Sequence, residues 1–474
     1  MLPGNGHATG MLAEFASTLR FENLPRTVAT HAKLTLLDTL GIALAGSGRG
    51  EGCAEMTAYA TAQADGGPAR LWATGQRLPA ALAALCNACH ARALDYDDII
   101  ESPQIHVAAC VVPAVLAVAD AAAERVDGKT LIAALVAGAE IQSRLAAAIA
   151  GTLDPSTFPV MLSSQVFGYF SAAAAAGRVL KLDGEAMLSA IGLAMMQASG
   201  TEELVVHAPV SVGKVIYAGL SNQAGVQSAQ MAASRVLAAG NALEGKAGLF
   251  NAYYGGRYRA EALTDDLGAR YLSLDCCFKA MPGTLVSHAF VEAALTIMQR
   301  ENLALGDVAE VRLHVGGWGR TMSEPRDIRR HPPAASAAMN SIPFMVATAL
   351  VNGAVTLDAF TAAGRTDSAT YAMAEKIVPM HDARLNNPNG LEPGLIDIVA
   401  NDGRTFSHRI DKPRGHPSRP LSFDDVAAKF AANAATAARP HGPSRIEQIA
   451  SCVERLDQLD DIRTLIDLVT PEMR

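Results

Sequence analysis

Residues Cys86–Asp98 read CNACHARALDYDD, and two readings of the stretch compete. The first five residues match Cys-X-X-Cys-His, the attachment pattern of a covalently bound haem. The last four hold Asp95, Asp97 and Asp98, at the end of an alanine-rich helix that opens near Pro79. Proline costs nothing in a first helical turn, where its missing N–H has no partner anyway. The rest of the chain decides against haem. Its start, MLPGNGHATGMLAEFASTLRFENLP, shows no basic segment followed by an apolar run. No distal ligand or aromatic-rich pocket stands out in a chain only 5% aromatic. Cys86 and Cys89 read instead as small core residues one turn apart on one helical face.

Working outward, 474 residues allow two or three domains, or one large domain with an insertion. A composition 50% hydrophobic and 18% charged can bury a large core. Abundant alanine and glycine favour close-packed helices, so the expected fold class is mainly α. A net charge of −8 excludes the basic face that nucleic acid needs. Apolar stretches such as AACVVPAVLAVADAAA, from Ala108, fall short of the ~20 residues of a membrane span. Seven cysteines, an odd number in a long chain, suit reduced and buried thiols. Together these features predict a cytoplasmic protein with no membrane or nucleic-acid partner.

Along the chain, VATHAKLTLLDTLGIALAGSG and GKVIYAGLSNQAGVQSAQMAASRVLAAG repeat apolar residues at helical spacing. VDGKTL and LDGEAM each open a helix with an aspartate cap. After about residue 270 the character changes. AEVRLHVGG alternates Val311, Leu313 and Val315 inward like a strand, and LIDIVANDGRTFSHRI is a hairpin turning at Asp402-Gly403. The expected domains are a helical body, 1–269 and 412–474, with a smaller α+β domain at 270–411 inserted into it. A last helix is expected to open with a Ser444/Glu447 capping box and to carry an apolar stripe from Ile446 to Ile466.

GNALEGKAG, from Gly240, mimics a phosphate loop. It has Ala247 where a hydroxyl must reach magnesium, and it follows a helix rather than a strand. No other grouping beyond Cys86–Cys89 has zinc spacing, so no metal is expected. Asp95, Asp97 and Asp98 repel one another and oppose the helix dipole, so they are either an exposed acidic loop or partnered. His106 follows within reach, and an Asp–His pair would serve as an acid/base group.

The stretch NACHARALDYDD, then a histidine, then VVPAVLAVAD, resembles the MmgE/PrpD family, whose pattern is roughly N-G-x-x-x-H-x-x-D-F-D-D, a histidine and a Pro-Ala helix. LTLLDTLGIALAGS, GKVIYAGLSNQAG, FKAMPGTLVSHAFVEAAL, NSIPFMVATALVNGAVTLDAF and HPSRPLSFDDVAAKF are similar to further family segments, in order along nearly the whole chain. The resemblance implies a large helical domain built from both chain ends, an α+β lid between them, a homodimer, a cleft active site and no cofactor. It implies proton removal or addition beside a carboxylate, as in 2-methylcitrate dehydratase, cis-aconitate decarboxylase or iminodisuccinate epimerase.

Matched residue by residue, the resemblance implies catalytic roles for Asp95, His106, Lys214 and Lys279. Two lysines would hold carboxylates, and His106, oriented by Asp95, would move the proton. Departures are as informative. Ile99 stands where a threonine is usual, and His106 precedes Val107 rather than proline, in a loop one residue longer. Leu162 stands near a family histidine, and Thr284 where His or Cys is common. Ser163, Ser164, Gln165, His207, Tyr217, Thr284 and His288 are the candidate substrate contacts. The expected function is a cofactor-independent lyase acting on a small carboxylate or polycarboxylate, less charged or more apolar than a tricarboxylate. An epimerase and an inactive ligand-binding homologue are the alternatives.

Overall fold

The computed structural model describes residues 7–152, 161–201, 203, 212–387 and 390–471, with residues 212–214 by their backbone alone. The chain divides into two compact units: residues 1–93, 97–276 and 422–474 form the first, and Leu94–Tyr96 with Cys277–Leu421 form the second.

The first unit is a helical assembly. Its main elements are α1 (Ala8–Thr18), α2 (Arg26–Arg49), α3 (Cys53–Ala62), α4 (Ala80–Arg92), α5 (Ala108–Ala121), α6 (Gly128–Ile149), α7 (Ser163–Val179), α8 (Gly184–Met195) and α9 (Val212–Ala233). Asp127 caps α6 by accepting from the Thr130 N–H, and Asp183 caps α8 by accepting from the Ala186 N–H. Caps of this kind contribute about 1 kcal/mol each. Pro79 lies one residue earlier than expected, as the N-cap of α4. Helix α9 packs on α4 and α7, and α4 packs on α2 and α5. Close approach of α2 to α4 requires glycine at position 46, where a β-carbon would collide with the His90 carbonyl oxygen.

Pro113 sits inside α5, where it cannot donate to the Ala109 carbonyl. Asn222 on α9 makes good the loss: its Nδ2 donates to the Ala109 carbonyl at 2.9 Å and its Oδ1 accepts from the Ala114 N–H at 2.8 Å. The C-terminal part of this unit packs through helix Phe423–Ala434 on α2, with a buried Lys429–Asp38 ion pair at 2.7 Å. Two expectations need correcting. Helices α2 and α6 are long and apolar enough to cross a membrane, although 83% and 89% of their apolar windows are buried in the fold. The helix Pro443–Glu454 is capped by Gly442, with Pro443 in its first turn. Ser444 and Glu447 therefore lie inside it and make no capping box. The stripe then continues through a separate short helix, Arg463–Val469.

In the second unit a four-stranded sheet has the order Ile377–His381, Val308–Val315, Gly394–Ala400, Thr405–Ile410. The first pair is parallel, and the crossover between them carries helices Ile342–Asn352 and Ser368–Glu375. The other pairs are antiparallel, and the last two strands form the hairpin turning at Gly403, whose φ of 86° suits glycine. Val311, Leu313 and Val315 are buried, as their alternation requires. This unit ends at Leu421 rather than near residue 411 because the segment after the hairpin folds back onto it. Phe278 donates to the Gly415 carbonyl, and Arg419 pairs with Glu292.

Candidate active site

The acid stretch holds two separate polar networks. Helix α4 ends at Arg92, so the acids lie beyond it rather than in its last turn. Asp95 adopts a left-handed backbone, φ 48°, which non-glycine residues rarely take. Alternation along the chain is broken there, and Asp97 and Asp95 have different partners.

In the first unit Arg92, Asp97 and His106 meet in one polar network. Arg92 Nη1 donates to Asp97 Oδ1 at 2.8 Å. His106 Nδ1 lies 3.1 Å from Asp97 Oδ2 and 2.8 Å from the Asp98 carbonyl oxygen. Arg92 Nη2 lies 3.1 Å from His106 Nε2, and Arg92 Nε donates to the Tyr217 hydroxyl. These partners assign the histidine's tautomer. Both neighbours of Nδ1 are acceptors, so Nδ1 carries the proton; guanidinium only donates, so Nε2 presents its lone pair. The backbone of His106 is held as well. Its N–H donates to Ser164 Oγ at 3.0 Å, and its carbonyl accepts from Gln142 Nε2 at 2.9 Å. Arg92 and Asp97 are almost fully buried, while the His106 side chain is 12% exposed.

Asp98 is the anchor beneath this set. Its Oδ1 accepts from the Ala108 N–H at the start of α5, and its Oδ2 accepts from the Cys276 thiol at 2.9 Å. Burial pushes its carboxyl up to about 7, against the Cys276 hydrogen bond, with Asp97 adding repulsion. Burial likewise raises the Tyr217 phenol, so it stays protonated beside Arg92.

In the second unit the Asp95 carboxylate is taken by other groups. Lys279 Nζ donates to the Asp95 carbonyl at 2.6 Å and to its Oδ1 at 3.1 Å. Asn340 Nδ2 donates to Asp95 Oδ2 at 3.2 Å, and the Gly283 N–H donates to the Asp95 carbonyl. Lys279 is buried. The expected Asp95–His106 pair is not what the structure brings together: the carboxylate beside His106 Nδ1 is that of Asp97, and Asp95 is matched to Lys279.

The remaining expected residues are dispersed. Tyr217 joins the Arg92 set. Gln165 is buried on α7 and donates to Tyr169. Ser163 opens α7, its hydroxyl 3.4 Å from the Met161 carbonyl. Thr284 precedes helix Leu285–Arg300, donating its N–H to Met339, and His288 is buried within that helix. His207 and the side chain of Lys214 lie outside the described residues. Among the described residues no group of three or more His, Cys, Asp or Glu could hold a metal ion.

Three residues of these networks escaped the sequence reading: Arg92, Gln142 and Asn340. A signal existed for Arg92. Counted from Asn87, it occupies the sixth position of N-G-x-x-x-H-x-x-D-F-D-D, where the pattern has histidine. Gln142 and Asn340 carry no local signal.

Two family models match the chain: the MmgE/PrpD N-terminal domain over residues 10–261 and the MmgE/PrpD C-terminal domain over residues 281–455. Cis-aconitate decarboxylase of Aspergillus terreus is 26% identical over 481 residues, covering 97% of this chain and 95% of that protein. The cis-aconitate decarboxylases of Mus musculus and Homo sapiens are 25% and 24% identical, each match covering 95% of this chain and 91% and 92% of those proteins.

Proposed function

The chain belongs to the MmgE/PrpD family, and on that premise we propose that it is a lyase of the decarboxylase or dehydratase type acting on a small polycarboxylate. The observation that carries this reading is the partly exposed His106 beside the buried Asp97 carboxylate, in a chain aligned almost end to end with cis-aconitate decarboxylases. Decarboxylation breaks a carbon–carboxylate bond and leaves an electron pair that must be protonated at carbon. Dehydration removes a proton beside a carboxylate and expels hydroxide. Either reaction needs one group that moves a proton and cations that hold carboxylates.

His106 is the proton-moving group. The Asp98 carbonyl accepts its Nδ1–H, with the Asp97 carboxylate as a charged neighbour 3.1 Å from the same nitrogen, which leaves Nε2 as the reactive nitrogen. Lys214 is the proposed carboxylate-holding cation. Leu162, Thr284 and Ile99 replace groups common in the family with apolar or smaller ones, which supports a substrate that carries an apolar portion in addition to its carboxylates.

The test is proton NMR of the purified full chain with cis-aconitate, 2-methylcitrate, iminodisuccinate and alkyl-substituted dicarboxylates, with carbon dioxide release measured in parallel. A new alkene signal or carbon dioxide, absent with His106→Asn, is the expected result. Loss of an α-proton signal in D₂O with neither product would instead establish an epimerase. No turnover of any compound, with thermal stabilisation by several of them, would establish a binding protein.

A further inference from the structure

The tautomer of His106 suits a base, yet its only reactive nitrogen faces a cation. Arg92 Nη2 lies 3.1 Å from Nε2. While that contact lasts, the lone pair cannot take a proton from a substrate. The other Arg92 contacts explain how the contact could be released without dismantling the site. Nη1 is anchored on Asp97 Oδ1, and Nε is anchored on Tyr217. Nη1 is held by a carboxylate, whereas the Nη2 edge rests on a neutral imidazole. A guanidinium–carboxylate hydrogen bond, charged on both sides, is roughly twice as strong as one with a neutral acceptor. An arriving carboxylate therefore outcompetes the imidazole for that edge.

We propose that Arg92 is a carboxylate-operated gate on His106: a substrate carboxylate takes the Nη2 edge, and the same event uncovers Nε2 as the base. No covalent bond changes in this step; one hydrogen bond is exchanged for another. Asp97 and the Asp98 carbonyl hold the ring throughout, so the uncovered nitrogen is already in its reactive form. The base is masked whenever no carboxylate is present, and a neutral analogue of the substrate leaves it masked. Arginine is required for this. The histidine that the family pattern places at this position cannot span Asp97, Tyr217 and Nε2 together. The gate rests on the proposed function, since it needs a carboxylate ligand.

The experiment is long-range proton–nitrogen NMR of the full chain labelled with ¹⁵N-histidine. His106 is assigned among the twelve histidines by loss of its signal in His106→Asn. Malonate is the probe. In the resting protein Nε2 should show the upfield shift of a hydrogen-bonded acceptor, and malonate should move it downfield toward an unbonded one. Arg92→His should produce that downfield shift without malonate and abolish the response to malonate. Arg92→Lys, a second variant that keeps the charge, should give an intermediate resting shift and a weakened response. If malonate binds, as shown by other histidine signals or by a raised melting temperature, while Nε2 stays at its resting shift, the gate is wrong and the proposed function stands. If malonate and cis-aconitate move no histidine signal and give no thermal stabilisation, the carboxylate reading falls and the gate falls with it.

Discussion

Asp95 and Asp97 stand two residues apart, yet they belong to different kinds of site. Asp97 holds a titratable imidazole and shares a guanidinium with it, so its surroundings can change protonation state during a reaction. Asp95 is matched by Lys279 and Asn340, an arrangement that neutralises charge and fixes a left-handed bend. The difference teaches that an acidic cluster is not one device. Each carboxylate takes its role from the cation it meets, and of the two networks the one around Asp97 contains the histidine.

The contrast can be broken most severely at its reactive end. His106→Asn should lower kcat by ~10²–10⁴, the range for losing a general acid/base, with the melting curve nearly unchanged; a loss below tenfold would remove His106 from the chemistry. Cutting either ion pair comes next. Asp97→Ala and Lys279→Ala each leave a buried charge without its partner and should cost about 3–5 kcal/mol in urea unfolding. Their kinetic effects should separate: Asp97→Ala falls on kcat, through a displaced His106, and Lys279→Ala, which cuts the pair that fixes the Asp95 bend, lowers it far less.

Asp98 sharpens the comparison through pH. Its folded pKa is raised from 3.8 to about 7, so the folded protein binds this proton more tightly than the unfolded chain does. Its contribution is fully present below about pH 4 and is lost as pH rises through 7. At 1.36 kcal/mol per unit the loss is at most ~4 kcal/mol. Asp98→Asn should flatten the fall in stability between pH 5 and 8, measured by thermal melts at several pH values. The smallest effect is expected from Ser164→Ala, which removes one hydrogen bond to the His106 backbone. It should cost ~1 kcal/mol of stability and a few-fold in kcat, whereas Asn340→Ala, the matching change at Asp95, should leave the resting His106 NMR signal where it is.

Much of the fold was legible because its signals are local. Asp127 and Asp183 announce helix starts within three residues of the groups they bind, and Gly403 announces its hairpin. Signals that depend on competing local choices were misread. Ser444 and Glu447 have capping-box spacing, but Pro443 starts the helix earlier and Gly442 takes the cap. At the site, His106 and Lys279 were singled out through the family pattern. The pairing of carboxylates was not, because Asp95 and Asp97 are alike in sequence and are told apart by one positive φ and by partners such as Asn340, 245 positions away. Arg92 was legible in principle, as a departure from the pattern's histidine; its importance shows only when Asp97, His106 and Tyr217 are seen around it.

The most direct test is deuterium incorporation at the carbon beside the carboxylate, followed in D₂O for wild type, Asp97→Asn and Asp95→Asn with one turned-over substrate from the NMR panel. If Asp97 is the carboxylate that orients the base, Asp97→Asn slows incorporation at saturating substrate by a hundredfold or more, and Asp95→Asn slows it far less under the same conditions. Equal losses in the two variants, or a larger loss for Asp95→Asn, would contradict the assignment of the proton-moving pair to Asp97 and His106.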